Sequence, residues 1–319
     1  MPDELGVIRS IARAAGRLPK NYARIGDDVA VFPSRRGDVV FKTDMLVEHT
    51  DVPAGMTYRQ AARKTVSMCV SDFAAKGVRP EAFMVSVGLR RDVGQSQVDG
   101  LAAGLRDASR KWEIHLVGGD TNEAEELVID CAMIGFAQRV VRRRGASPGD
   151  VLVVSGPFGF PPAGLRILTA GAKASPGFSR KAVRSVLEPA PDLDVGLALA
   201  PFLTSSMDSS DGLARSIHTL ARESGVGFEL ARLPMGDGVG TFAAANGLDP
   251  WPLVVEGGEE YVIVGTVRKA DLDEASGAAR KAGGRLIPIG SATERKGTVV
   301  LRERGVMRAV RDEGWTHLR

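Results

Sequence analysis

The chain has 319 residues, 44% of them hydrophobic and 25% charged, with a formal net charge of +3 at pH 7. That is enough for two domains, each with a sizeable core. The near-neutral balance gives no case for a nucleic-acid or membrane surface, and no apolar run approaches the length of a bilayer span.

Cys69 and Cys131 each lie in an apolar neighbourhood and read as reduced core residues of a cytoplasmic protein, not as a disulfide or zinc framework. The four histidines are far apart and lack metal-ligand spacing. The N-terminus carries no signal-peptide apolar core. Abundant glycine, 38 residues, fits many tight loops between short elements.

In chain order, Leu5, Ile8, Ala12 and Ala15 mark a short opening helix. A turn at Gly26-Asp27-Asp28 runs into a strand ending at Phe32, and Val39 to Asp44 is a second strand with Asp44 near its end. Glu48 to Gly55 reads as a polar loop. Ala62, Val66, Cys69 and Phe73 fall at helical spacing, which predicts a helix over Tyr58 to Lys76, closed by Gly77 and Pro80. A strand (Phe83 to Leu89) and a helix (Val98 to Trp112) follow. Ile114 to Val117 reads as a short buried strand that delivers Gly118-Gly119-Asp120, and Leu127 to Ala137 as a further strand.

A basic run at Arg139, Arg142, Arg143 and Arg144, ended by Gly145, Pro148 and Gly149, marks a boundary. It divides the chain into domains 1–145 and 146–319. The second half begins with strand Val151 to Ser155 and a turn-rich Gly156 to Pro162, and Gly156 and Gly159 there either contact a ligand or only turn the chain. Helices follow from Ala163, near Arg180 to Glu188 and over Asp194 to Leu203. They lead to an acidic loop, Ser206-Met207-Asp208-Ser209-Ser210-Asp211-Gly212, which reads as a helix start because an apolar stripe begins at Leu213. Strand Gly227 to Ala231, a helix at Thr241 to Asn246, strand Tyr261 to Val264, a helix near Ala270 to Ala282 and strand Leu286 to Gly290 come next. A basic tail follows and ends in Gly314-Trp315-Thr316-His317-Leu318. Strands and helices alternate in both halves, so the class is α/β or α+β.

The chemistry-bearing feature is repetition of one style of patch. The acidic loop has four counterparts: Asp27-Asp28, Thr43-Asp44, Ser71-Asp72 and Asp120-Thr121. Carboxylates beside small residues and hydroxyls suit hard cations that take oxygen ligands and keep water. No Gly-Lys dipeptide occurs, so there is no Walker A loop. Scattered carboxylates, glycine-rich turns and one arginine cluster suit phosphoryl transfer, which needs positioning and charge neutralisation more than a covalent nucleophile. Each patch has a bland alternative. Asp27 and Asp28 are also good turn residues, Asp44 and Asp120 strand-end residues, and Asp72 a solvated helix position. Glu259 reads equally as a cap, and Trp315 as a core aromatic.

Six motifs occur in order: Gly26-Asp27-Asp28, Thr43-Asp44, Ser71-Asp72-Phe73-Ala74-Ala75-Lys76-Gly77, Gly118-Gly119-Asp120-Thr121, Asp208-x-Ser210-Asp211-Gly212 and Gly257-Gly258-Glu259-Glu260-Tyr261. Together they resemble the thiamine-monophosphate kinase family, of the superfamily that includes aminoimidazole ribonucleotide synthetase. The resemblance implies a two-domain α/β (α+β) fold, with an N-terminal mixed domain that forms a barrel in a homodimer and a C-terminal domain that completes the site. It implies ATP as co-substrate, several Mg²⁺ ions and thiamine monophosphate as acceptor. By position it makes Asp28, Thr43, Asp44, Asp72, Asp120, Asp208 and Asp211 metal ligands, with Lys42 adding at most a backbone carbonyl. Asp208 and Asp211 are then the catalytic pair. Gly119, Asp120, Arg143 and Ser210 match nucleotide contacts, and Glu259 and Trp315 substrate contacts. Where bacterial members have a substrate-contacting His, this chain has Asp51, so either Asp51 or His49 takes that place.

Overall fold

The computed structural model describes residues 28–35, 37–303 and 305–316. The opening helix expected over Leu5 to Ala15, and Asp27, lie outside the described residues. The chain runs β1 (Ala30–Ser34), β2 (Gly37–Val47), a short α1 (Glu48–Asp51), α2 (Tyr58–Lys76), β3 (Pro80–Leu89), α3 (Gln95–Trp112), β4 (His115–Glu123) and β5 (Val128–Ala137). These strands form one sheet in the order β1-β2-β5-β3-β4, antiparallel except for β3 beside β4, which α3 connects as a crossover.

The second half runs β6 (Val151–Val154), α4 (Phe160–Ala170), α5 (Pro176–Leu187), α6 (Leu193–Leu199), β7 (Leu203–Ser209), α7 (Leu213–Ser224), β8 (Gly227–Leu230), α8 (Val239–Ala245) and α9 (Pro250–Val255). It ends with β9 (Val262–Val267), α10 (Leu272–Lys281), β10 (Ile287–Thr293), β11 (Val299–Glu303) and β12 (Val306–Ala309). Its sheet is β12-β11-β8-β10-β6-β9-β7. Each sheet has its own apolar core, one around Val66, Phe73, Phe83 and Ile129, the other around Leu152, Phe158, Ile217, Phe228 and Val264.

The two halves meet along α2. Thr57 and Gln60 close a reciprocal capping box at its start, and Gly77 ends it in the left-handed region at φ 66°. The helix packs against β2 and β5 on one side and against α3, α6, β7 and β9 on others. Small residues make this crowding feasible. Gly196 of α6 lies so close that an added Cβ would stand 2.2 Å from the Ala74 carbonyl oxygen. Nearly every α2 residue from Ala61 onward is therefore buried, including Lys64, Asp72 and Lys76. The solvated-face alternative for Asp72 is thereby excluded.

β2 alternates with period two. Val40 and Leu46 are buried, Lys42 and Asp44 turn to the same inward face, and Phe41, Thr43 and Met45 point outward.

Four expectations are corrected. Asp44 lies in the middle of β2, because the strand continues to Val47. Residues 48–51, expected as loop, form one helical turn. β4 is a sheet edge whose nine residues are all exposed, where a buried strand was expected from the apolar run Ile114 to Val117; only Ile114, before the strand, is buried. Finally, Ser206 to Ser209 is the buried end of strand β7 and not a loop, because β7 pairs with β9 through Ser209.

Substituting Gly196→Ala drives a methyl group into the α2 backbone and should cost about 1–3 kcal/mol of stability. A lowered urea midpoint checks this, and an unchanged midpoint contradicts the close approach.

Candidate active site

At the seam, Asp28, Asp72 and Asp208 bring carboxylate oxygens within 4.8 Å of one another, all three side chains buried. They come from the bend just before β1, the last turns of α2 and the end of β7. Three cations are interleaved. The Lys76 ammonium lies 2.6 Å from Asp28 Oδ2 and donates to the Ser206 carbonyl at 2.7 Å. The Arg143 guanidinium donates to Asp28 Oδ1 through Nε at 2.6 Å. The Lys42 ammonium bridges Asp72 Oδ2 at 2.8 Å and Asp44 Oδ1 at 3.0 Å. The Ser71 hydroxyl donates to Asp208 Oδ2 at 2.8 Å.

These partners sort the protonation states. Burial would raise the Asp28 carboxyl, but Lys76 and Arg143 outweigh it and hold it below its ordinary value. Asp72 is pushed well up, first by burial and then, against Lys42, by Asp208, Asp44 and Asp28. Burial, reinforced by Asp28, pushes Asp208 up to about 7. Burial would lower the Lys42 ammonium, yet Asp72 and Asp44 raise it well above its usual value. Four carboxylates and three fixed cations thus form a site short of positive charge. Closely spaced buried carboxylates of this kind are a fitting donor set for a hard divalent cation.

A cavity of about 1000 Å³ opens beside the cluster. Its walls include His49, Asp51, Met68, Arg166, Ser210, Asp211, Glu256, Glu259, Tyr261, Glu313 and Trp315. Burial raises the Tyr261 hydroxyl well above its usual value, with Glu259, Asp44, Asp208 and Asp51 adding to the shift. The wall at 259–261 is tightly held. Glu259 and Tyr261 both have positive φ, 63° and 51°, each at a cost of roughly 1–3 kcal/mol. Their N–H groups donate to Ser210 O at 2.6 Å and Ser209 O at 3.0 Å. Gly212, at φ 111°, lets the 209–212 turn pass close to this wall, since a Cβ there would stand 2.7 Å from the Glu256 carbonyl oxygen. The Trp315 N–H donates to the Asp211 carbonyl at 3.0 Å, which ties the tail across the cavity mouth, and the indole remains 52% exposed.

The structure therefore gathers the expected residues into two adjacent groups. Asp28, Asp72 and Asp208 meet, with Asp44 joined to Asp72 through Lys42, while Asp51, Ser210, Asp211, Glu259 and Trp315 line the cavity. His49 lines it as well. Arg143 is the arginine of its run that reaches the cluster. Thr43 is turned away on the outer face, where its hydroxyl donates to Asp130 at 2.7 Å, so only its main chain faces the site. Gly119 and Asp120 stand on the exposed strand β4, and among the described residues the buried carboxylate cluster does not include Asp120. The Gly159 N–H donates to Glu260, which supports the turning role for that glycine.

Lys64 and Lys76 were not singled out in the sequence. Their signal is periodicity: Lys64, Met68, Asp72 and Lys76 recur every four residues on α2, so they form one stripe. That stripe runs from the cavity wall, where Met68 lies, to the carboxylate cluster.

Known proteins resemble the chain over nearly its whole length. The family model for the AIR synthase related protein, N-terminal domain, matches residues 26–137, and that for the C-terminal domain matches 147–302. Thiamine-monophosphate kinase of Nitrosopumilus maritimus is 36% identical over 317 residues, 99% of this chain and 99% of the relative. Thiamine-monophosphate kinase of Pyrococcus horikoshii is 32% identical over 94% of this chain and 92% of the relative. Among solved structures, AaThiL complexed with AMPPCP and TMP has a TM-score of 0.87 at 27% identity, over 99% of this chain and 97% of that one.

The raised Asp208 carboxyl has a signed consequence for stability. Between pH 4 and about 7 the folded chain keeps a proton there that the unfolded chain has released. Its contribution is present at low pH and is lost as pH rises through 7. With chelator present, Asp208→Asn should therefore gain thermal stability relative to the parent protein as pH goes from 5 to 8. A difference in Tm that stays constant with pH contradicts the raised value.

Proposed function

The chain belongs to the thiamine-monophosphate kinase family, within the AIR synthase related proteins, and from that premise we propose that it transfers the γ-phosphoryl group of ATP to thiamine monophosphate, giving thiamine diphosphate and ADP. The observation that carries the reading is the placement of an acidic, aromatic-walled cavity beside a buried carboxylate cluster. The cavity suits a flat cationic heterocycle, with Trp315 and Tyr261 offering ring faces and Asp51 and Glu259 offering negative charge. The cluster suits the polyphosphate end, where cation-held phosphates must meet.

Mg²⁺ bound by Asp28, Asp44, Asp72 and Asp208, with Asp211, Asp120 and the Thr43 main chain as further donors, would neutralise charge between acceptor phosphate and γ-phosphate. The remaining work belongs to the chain. The acceptor is already an anion, so no strong general base is needed. The cavity wall orients the acceptor so that its phosphate points toward the 208–211 turn, which favours in-line transfer. Gly119, Asp120, Arg143 and Ser210 are the nucleotide contacts in this reading. For Arg143 to reach a phosphate it exchanges one anionic partner, Asp28, for another.

The same proposal includes a homodimer and a boundary between the two domains at 145/146. Phe41, Met45 and Met84 are 40%, 58% and 47% exposed. Phe41 and Met45 share the outer face of β2, which supports that face of the first sheet as the dimer surface. Among the described residues no helix is long and apolar enough to cross a membrane, and we place the enzyme in the cytoplasm.

Incubation with ATP, Mg²⁺ and thiamine monophosphate should yield thiamine diphosphate and ADP in equal amounts by mass spectrometry, with free thiamine inert. Asp208→Asn should keep its fold by circular dichroism and lose about 100-fold or more of the rate. Magnesium-dependent ATP binding without product would move the protein to another acceptor, and near-normal turnover in Asp208→Asn would remove the cluster from the mechanism.

A further inference from the structure

Lys64 is among the largest fully buried side chains, at 1% exposure, and it carries a charge. Its ammonium group lies behind the cavity wall and not in it. It donates to the Asp51 carbonyl oxygen at 2.9 Å and to Glu259 Oε1. These acceptors come from opposite halves of the chain, and both residues line the same cavity. Asp51 closes α1, where its carboxylate accepts from the Val47 N–H at 2.8 Å and the Thr50 hydroxyl at 2.9 Å. Glu259 sits in the left-handed stretch whose main chain is pinned to Ser210. Its side chain is still 33% exposed, so it can meet both Lys64 and a ligand.

A lysine with these two partners does more than neutralise a charge. An ammonium group buried this deeply demands acceptors at fixed places, because either one left unpaired is costly. It therefore sets the separation between the α1 turn and the 259–261 wall. α2, which carries it, is among the most crowded elements of the fold, so the lysine itself cannot wander.

Resting on the reading of the acceptor given above, we propose that Lys64 is the positioning residue of the thiamine half of the site. It aims the Glu259 carboxylate and the Asp51 main chain at the cationic part of the acceptor. Affinity for thiamine monophosphate depends on it, whereas nucleotide binding, at the Asp72 end of the same helix stripe, does not.

The test is a double-mutant cycle on the full-length protein with Lys64→Met, Glu259→Gln and the pair, and with Lys64→Arg as conservative rescue. Lys64→Met should raise KM for thiamine monophosphate about tenfold or more, with KM for ATP changed by no more than about twofold. In the Glu259→Gln background the same substitution should have a much smaller effect, and Lys64→Arg should recover part of the loss. Equal rises in both KM values, or an undiminished effect in the Glu259→Gln background, would overturn the proposal. Should Lys64→Met fail to fold, Glu259→Gln and Lys64→Arg carry the test, since each must shift KM for thiamine monophosphate and spare KM for ATP. If the parent protein forms no thiamine diphosphate, the functional reading fails and the proposal with it. Turnover in the parent with no split between the two KM values sinks the proposal alone.

Discussion

The structure depends on the compensation of charge buried at one seam. Asp28, Asp72 and Asp208 would each be strongly unfavourable in so dry a place without partners, at several kcal/mol per ion. Lys76, Arg143 and Lys42 supply the opposing charge, and each does so from a different element. Ser71 and Lys76 of the first half donate to Asp208 and the Ser206 carbonyl of the second, so the halves cannot drift apart without leaving these buried groups unpaired. The small residues of α2 and its neighbours follow from the same demand, since close helix approach is what keeps the seam dry.

Compensation is incomplete. Asp208 rises to about 7 and Asp72 is also pushed well above its usual range, which marks the cluster as able to take more positive charge than the chain provides. A site built for stability alone would have no reason to leave that deficit. The cavity beside it has the complementary character, acidic and aromatic at its wall, with the Trp315 tail across its mouth. One helix face joins the two: Lys64 stands behind the cavity wall, Met68 forms part of it, Asp72 enters the cluster and Lys76 anchors Asp28. Twelve residues of helix, roughly 18 Å, thus connect the cavity wall to the carboxylate cluster.

Much of this was legible in the sequence where local rules and tertiary packing agree. α2 was read from Tyr58 to Lys76 because its apolar period and Gly77 stop are local signals, and the structure has those bounds. The acidic motifs identified Asp28, Asp44, Asp72 and Asp208 because small flanking residues are a property of the sequence itself. What failed depends on long-range pairing. Ser206 to Ser209 looks like a polar loop until β9 is placed beside it. The apolar run before Gly118 looks buried until β4 proves to be a sheet edge. β11 and β12 were hidden in a tail read only as basic. Lys64 and Lys76 escaped notice because charged residues on a helix are ordinarily solvated, and only the packing of both halves against α2 makes them interior. Thr43 shows the converse, for a motif fixes a position in sequence but not the face of the strand on which the hydroxyl lies.

The central claim is that the buried carboxylates at the α2 seam hold the metal-bound nucleotide. Anomalous diffraction from crystals grown with Mn²⁺ and a non-hydrolysable ATP analogue tests it most directly. The account predicts manganese peaks within coordinating distance of Asp72 and Asp208, with the nucleotide phosphates against them. Nucleotide density bound elsewhere, with no manganese peak at those carboxylates, would contradict it.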